Sequence, residues 1–282
     1  MTLPPFDLHH ARSVAEAGEL LTRYGEDAAV VCGGTELLLL LKLGFAAYGH
    51  LVDIKGIDEL GGIRAENGTL VIGSTVTHRE LERAPLVLEQ LPALAAMVRR
   101  VANIRVRSVG TLGGNLCFSD PHSDPATFLL ALDAEVEYEA RRVPLSEFLV
   151  GPYETALGHG ELLASVRIPF PVPGTGIAHR KLAFHERPAA TVTCLARVAE
   201  DLVTDVRIAV GSVGARPVRA TAAERALAGK PAGDSAVLAT AATLAAEASR
   251  AVADANGSVE YKENIVRVLV ERCFREAVAA CA

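Results

Sequence analysis

Val30-Val31-Cys32-Gly33-Gly34-Thr35-Glu36-Leu37 and Ser108-Val109-Gly110-Thr111-Leu112-Gly113-Gly114-Asn115-Leu116 are the two stretches on which the reading of this chain turns. Each sets consecutive glycines behind an apolar run that reads as a strand. Without a Cβ, glycine lets backbone N–H groups point outward and approach an anion closely. The apolar residues from Thr35 to Gly44 suggest a helix opened by Thr35, whose first-turn donors would add a positive dipole end. Two such loops could bracket a diphosphate without any lysine or arginine. Taken singly, either is also a common structural turn. Neither spells GxGxxG or GxxxxGK[ST], so generic nicotinamide and ATP folds lose support.

Outward from the loops, short β-branched runs alternate with helical segments as far as residue 175, which predicts an α/β-like N-terminal part. Residues 28–32, 51–54 and 70–74 read as strands, and residues 161–170 as the strand that closes this part. Thr77-His78-Arg79-Glu80 has the spacing of a capping box, in which Thr77 and Glu80 satisfy each other's backbone N–H. A capped helix start accounts for these residues, and His78 is assigned no chemistry. Pro169, Pro171 and Pro173, with Gly174 and Gly176, mark a linker.

Beyond the linker the texture changes, and the whole chain reads as α+β. Residues 192–198 and 203–213 are strand-like runs around the polar pair Glu200-Asp201, as in an antiparallel hairpin. Alanine-rich helices follow, with a break at Gly229 and Pro231 and a new start at Asp234 or Ser235. Ile265, Leu269, Cys273 and Ala277 form one apolar stripe on the last helix. The expected division is residues 1–175, with two α/β subdomains, and residues 176–282, a three-stranded antiparallel sheet with helices.

Composition narrows the function classes. The chain has 282 residues, half of them hydrophobic and 22% charged, which is globular composition. A net charge of −6 argues against nucleic acid and anionic membranes as partners. The most apolar run, residues 37–41, is far shorter than a membrane span, and MTLPPFDLHHARS has no secretory character, so a cytoplasmic chain is expected. Cys32, Cys117, Cys194, Cys273 and Cys281 are scattered without a CxxC pair, so neither zinc nor an iron–sulfur cluster is readable and reduced thiols are expected.

Read together, the two loops resemble the paired FAD-diphosphate loops of the xanthine dehydrogenase and carbon monoxide dehydrogenase family of molybdenum hydroxylases. The second loop runs on through Gly113-Gly114-Asn115 to Ser119-Asp120-Pro121-His122-Ser123-Asp124-Pro125, which is similar to the same family's segment before an apolar helix at residues 126–132. The resemblance covers almost the whole chain. It implies a vanillyl-alcohol-oxidase (PCMH)-type FAD-binding domain followed by a small C-terminal antiparallel-sheet-and-helix domain.

The resemblance also implies contacts and partners. Val30, Val31, Cys32, Gly33, Gly34, Thr35, Glu36 and Leu37 would wrap one side of the diphosphate and flavin, and Thr111, Gly113, Gly114 and Asn115 the other. Asp124 would meet a ribose or ribityl hydroxyl, Leu163 the isoalloxazine, and Lys181 would lie near the ring. Val101 occupies a position where some relatives carry an aromatic residue against the flavin. The implied function is a non-covalent FAD subunit that relays electrons from iron–sulfur clusters to an external acceptor. A molybdopterin-binding large subunit and a 2Fe–2S small subunit would be its partners, in a dimer of heterotrimers. No catalytic residue and no metal are implied on this chain.

Other readings of the same residues stay open. Asp124 before Pro125 also suits a helix cap, Lys181 a surface position on an edge strand, and Asp120, His122 and Asp124 a mixed metal site or a proline-bounded turn. A self-contained flavin oxidoreductase and a non-catalytic nucleotide-binding module remain as alternative functions.

Overall fold

Among the described residues, parallel pairing is confined to the first fifty-odd positions. In the computed structural model, which describes residues 2–184 and 187–281, Asp7–His10 and Ala28–Val31 flank the central strand His50–Asp53, both parallel to it. The helix Val14–Tyr24 crosses between the first two of these strands. Its N-cap Ser13 accepts from the Glu16 N–H, and its buried Ala17 and Leu21 face a small core with Val52, Ile54 and Ile57. A parallel pair needs such a crossover, which is why helical and strand patterns alternate here.

The second subdomain is antiparallel throughout. Its five strands run in the order Ile63–Glu66, Thr69–Gly73, Leu163–Pro169, Glu135–Tyr138 and Arg141–Pro144. The strand Leu163–Pro169 sits at the centre and ties the subdomains together. Leu162 and Ala164 pack into the first core, whereas Leu163, Val166 and Ile168 enter the second. Strict alternation would put Leu163 and Val166 on opposite faces. A bulge between Leu163 and Ser165 shifts the register and returns both to one core.

The helix Asp124–Ala131 is buried on every side, as expected for a helix apolar all round. It is sandwiched between the second subdomain and the C-terminal sheet, where Thr127 Oγ1 lies 3.1 Å from Thr191 Oγ1. That sheet has the order Thr175–Ala183, Pro188–Ala199, Leu202–Gly211 and Val218–Arg219. The expected three strands therefore gain a two-residue fourth, too short to leave a periodic signal. The hairpin turns at Glu200 and Asp201, both with positive φ (51° and 63°), as a two-residue turn matching strand twist requires. Helices Thr221–Leu227, Ser235–Ala248 and Val259–Ala279 cover one face, and the stripe Ile265, Leu269, Cys273 and Ala277 is buried there. Asp234 is the N-cap of the middle helix, accepting from Ala236 and Val237. No helix among the described residues is long and apolar enough to cross a membrane.

Candidate functional site: a cavity between two glycine loops

A cavity of about 510 Å³ opens where the two N-terminal subdomains and the start of the C-terminal sheet meet. This lies within the range of small-molecule and cofactor sites. Residues 30–37 line it, as do Val101, Thr111, Gly113, Gly114, Asn115, Asp124 and Leu163. The expected residues are thus gathered from five separate stretches, with the exception of Lys181.

The first loop leaves the strand Ala28–Val31 and does not enter a helix at Thr35. The helix spans Leu37–Leu43, with Glu36 at its N-cap and no side-chain cap, and ends on Gly44 in the left-handed conformation. Gly34 turns the chain with φ +67°. The backbone N–H groups of Gly33, Gly34, Thr35 and Glu36 find no acceptor among the described residues. These are the loop's own donors, and so short a helix adds little dipole behind them.

The second loop also differs from its sequence reading. A helix, Ile104–Val109, precedes it where a strand was expected, and its glycines fall in the first turn of another, Leu112–Phe118. Thr111 caps that turn, its Oγ1 accepting from the Gly114 N–H at 3.0 Å. The Gly110–Gly113 backbone runs antiparallel to residues 74–78. Leu112 N–H donates to the Val76 carbonyl (3.0 Å), Gly113 N–H to Ser74 (3.1 Å), and His78 N–H to Gly110 (2.9 Å). A Cβ on Gly113 would lie 2.5 Å from Ser74 Cβ, and one on Gly33 would collide with the Val109 carbonyl oxygen. Both glycines permit close backbone packing, and Gly33 brings the two loops into direct contact.

Asp124 does not cap its helix. Ser123 does, accepting from the Ala126 N–H (3.0 Å) while donating to Asn115 Oδ1 (2.6 Å). The Asp124 carboxylate is therefore free to face the cavity rim. Lys181 holds it at 2.5 Å and also donates to the Arg100 carbonyl at 2.8 Å. His179 Nε2 stands 3.6 Å from the other carboxylate oxygen, and its Nδ1 pairs with Thr193 Oγ1 at 2.8 Å. Burial alone would raise the Asp124 pKa, but His179 and Lys181 outweigh it and leave the carboxyl below its ordinary range. Lys181 lies on an edge strand yet is largely enclosed, behind Asp124 and off the cavity wall. Its charge reaches the site through Asp124.

Several lining residues gave no sequence signal. Arg187 joins the loops by pairing with Glu36 (3.2 Å) and Asp120 (2.9 Å). Burial raises the Glu36 pKa, opposed by Arg187. Asp120 also accepts from the His122 N–H at 2.9 Å, so Asp120, His122 and Asp124 form a turn, and among the described residues no cluster of His, Cys, Asp or Glu could hold a metal. Tyr48 and Tyr153 contribute aromatic rings to the wall. Cys32 and Cys117 line it as neutral thiols, burial pushing Cys117 up to about 12. The ring of His78, expected only to sit inside a capping box, lines the cavity too. The box itself is present.

An α+β fold with two glycine loops set around one cavity defines the class: an FAD-binding subunit of an oxidoreductase. The chain belongs to the family of FAD-binding medium subunits of molybdenum hydroxylases. Residues 4–171 match the FAD binding domain in molybdopterin dehydrogenase, and residues 180–277 match the CO dehydrogenase flavoprotein C-terminal domain. The carbon monoxide dehydrogenase medium chain of Hydrogenophaga pseudoflava is 35% identical over the full length of both chains. The putative xanthine dehydrogenase FAD-binding subunit of Escherichia coli is 32% identical over 96% of each. A structure of carbon monoxide dehydrogenase from Hydrogenophaga pseudoflava superposes with a TM-score of 0.97 at 35% identity, covering all of both chains. Quinoline 2-oxidoreductase from Pseudomonas putida 86 gives 0.94 at 28%, over 100% of this chain and 99% of that one.

Proposed function

We propose that this chain holds FAD non-covalently in the cavity and serves as the electron-relay subunit of a cytoplasmic molybdenum hydroxylase. The observation that carries this reading is the row of backbone donors at Gly33, Gly34, Thr35 and Glu36, which have no acceptor among the described residues and lie on the cavity wall. Such a row suits a diphosphate. Across the cavity, Asp124, its carboxylate held by Lys181 and His179, is placed to meet a ribose or ribityl hydroxyl. Val101 and Leu163 offer apolar surface to a ring system.

The chemistry that bound FAD supplies is exchange between single electrons from 2Fe–2S clusters and electron pairs for an external acceptor. This chain's residues bind and orient. Lys181 and His179 fix Asp124, and Arg187 ties Glu36 to Asp120 across the opening. The carboxylates on the wall are committed to cations: Glu36 and Asp120 to Arg187, Asp124 to Lys181, and Glu161 to Arg141. That commitment favours a relay over a self-contained oxidase that would use a carboxylate of the wall for proton transfer from substrate. In this reading residues 1–175 carry the cofactor and residues 176–282 the supporting domain. A large molybdopterin subunit and a small 2Fe–2S subunit complete a heterotrimer that pairs into a dimer.

The test is to assay the FAD-replete chain, free of iron and molybdenum, against N-heterocycles, aldehydes and carbon monoxide. No turnover is expected with any of them, while a dye should still be reduced with a nicotinamide donor. Sustained oxidation of an organic substrate would replace the relay with a self-contained oxidase.

A further inference from the structure

The capping box explains the backbone around His78 and leaves its imidazole unexplained. The residue is 3% exposed and its ring lines the cavity. Nδ1 is fully enclosed and has no hydrogen-bond partner among the described residues, so among these residues the edge of the ring still open is the one carrying Nε2. That edge stands where the two glycine loops meet. A Cβ placed on Gly110 would lie 3.5 Å from His78 Cδ2 and 3.5 Å from Thr35 Oγ1, and the His78 N–H itself donates to the Gly110 carbonyl. Gly110 of the second loop therefore flanks the imidazole, and Thr35 of the first loop approaches that same glycine.

The ring's protonation follows from what surrounds it. Burial first, and then the Arg107 guanidinium, hold its pKa down to about 4 against the opposing Glu82 carboxylate. Arg107 Nε pairs with the buried Glu82 at 3.0 Å, and Arg79 pairs with the same carboxylate, so the cluster behind the ring is already compensated. At neutral pH the imidazole carries a single proton. On Nδ1 that proton would be an orphaned buried donor, a rarer arrangement than a bare acceptor. It therefore belongs on Nε2, facing the loop junction.

We propose that His78 is a further ligand of the cofactor, donating a neutral hydrogen bond from Nε2 to a diphosphate oxygen at the junction of the loops. The inference rests on the FAD reading of the cavity. It gives the site a side-chain donor to the phosphates that adds no positive charge.

Titrating the cofactor-stripped full chain with FAD and, in parallel, with riboflavin tests it. His78→Met should weaken FAD binding about 10- to 100-fold, the scale of one hydrogen bond to a charged group, and leave riboflavin binding unchanged. His78→Gln, whose terminal amide can place a donor near the Nε2 position, should restore most of the FAD affinity. Parent-like FAD binding by His78→Met, or equal loss of both ligands, would overturn the proposal. A parent chain that binds riboflavin as tightly as FAD, or takes neither, would instead remove the diphosphate reading itself. If His78→Met does not fold, ¹⁵N-histidine NMR of the parent with FAD decides. The Nε2–H tautomer is expected, and the Nδ1–H or doubly protonated form would overturn the proposal.

Discussion

The two glycine loops look alike in sequence and use their backbones in opposite ways. In the first, the N–H groups of Gly33 to Glu36 have no acceptor among the described residues, and these residues line the cavity. In the second, Gly110, Leu112, Gly113, Gly114 and Asn115 all donate within the protein: to Val106, Val76, Ser74, the Thr111 hydroxyl and the Thr111 carbonyl. On the proposed reading, the first loop receives the ligand. The second is built to pack, and it offers the cavity mainly side chains and surface. In both loops a glycine admits close backbone packing, Gly33 against Val109 and Gly113 against Ser74, and what separates the loops is where their N–H groups go.

Breaking the first loop should have the largest effect on cofactor binding. Gly34→Asp forces a Cβ into a left-handed conformation, at about 1–2 kcal/mol, and sets a carboxylate beside the free donors. FAD retention should be abolished, as read from the flavin absorbance of the purified protein. Normal flavin content would make the loop a structural turn.

Lys181→Met probes the opposite wall. Its ammonium is the direct ionic partner of a carboxylate 5% exposed, and removing one partner of such a pair destabilises by about 3–5 kcal/mol. Because the charge is engaged by Asp124, the flavin midpoint potential should stay close to the parent's while the melting temperature falls. A lowered potential with unchanged stability would place Lys181 against the ring.

Gly113→Ala is the counterpart to the first-loop variant. Crowding against Ser74 should cost about 1–3 kcal/mol of stability, read by denaturant unfolding, with FAD affinity of the folded protein little changed. Loss of flavin at parent stability would erase the distinction between the loops.

The smallest effect is expected at Arg187→Gln. Its side chain is half exposed, so its bridge between Glu36 and Asp120 is screened. FAD affinity should change by no more than about 3-fold, as one exposed pair allows. A larger loss would make Arg187 a direct ligand.

What could be read from the sequence was local. The capping box at Thr77 and Glu80, the hairpin turn at Glu200-Asp201, the cap at Asp234 and the stripe on the last helix each depend on residues within a turn or two of one another. Most of what escaped depends on distance along the chain. One miss was local: the second loop follows a helix whose N-cap, Asn103, was passed over in favour of the β-branched residues around it. Asp124 gave up the cap to its neighbour Ser123, a choice made by the Asn115 side chain eight residues away. Arg187 joins the wall from beside the C-terminal sheet, and the ring of His78 gains meaning only beside the distant Gly110. The resemblance to a known family supplied the cofactor, while the division of labour between the loops came from their hydrogen bonds.

Hydrogen–deuterium exchange of the full chain, stripped of cofactor and then saturated with FAD, measures that division directly. FAD should slow exchange strongly at Gly33, Gly34, Thr35 and Glu36, whose donors lack partners among the described residues. It should change little at Leu112, Gly113, Gly114 and Asn115, which are bonded without it. Protection arising chiefly in the second loop, or no protection in the first from bound FAD, would contradict the assignment of the diphosphate to Gly33–Glu36.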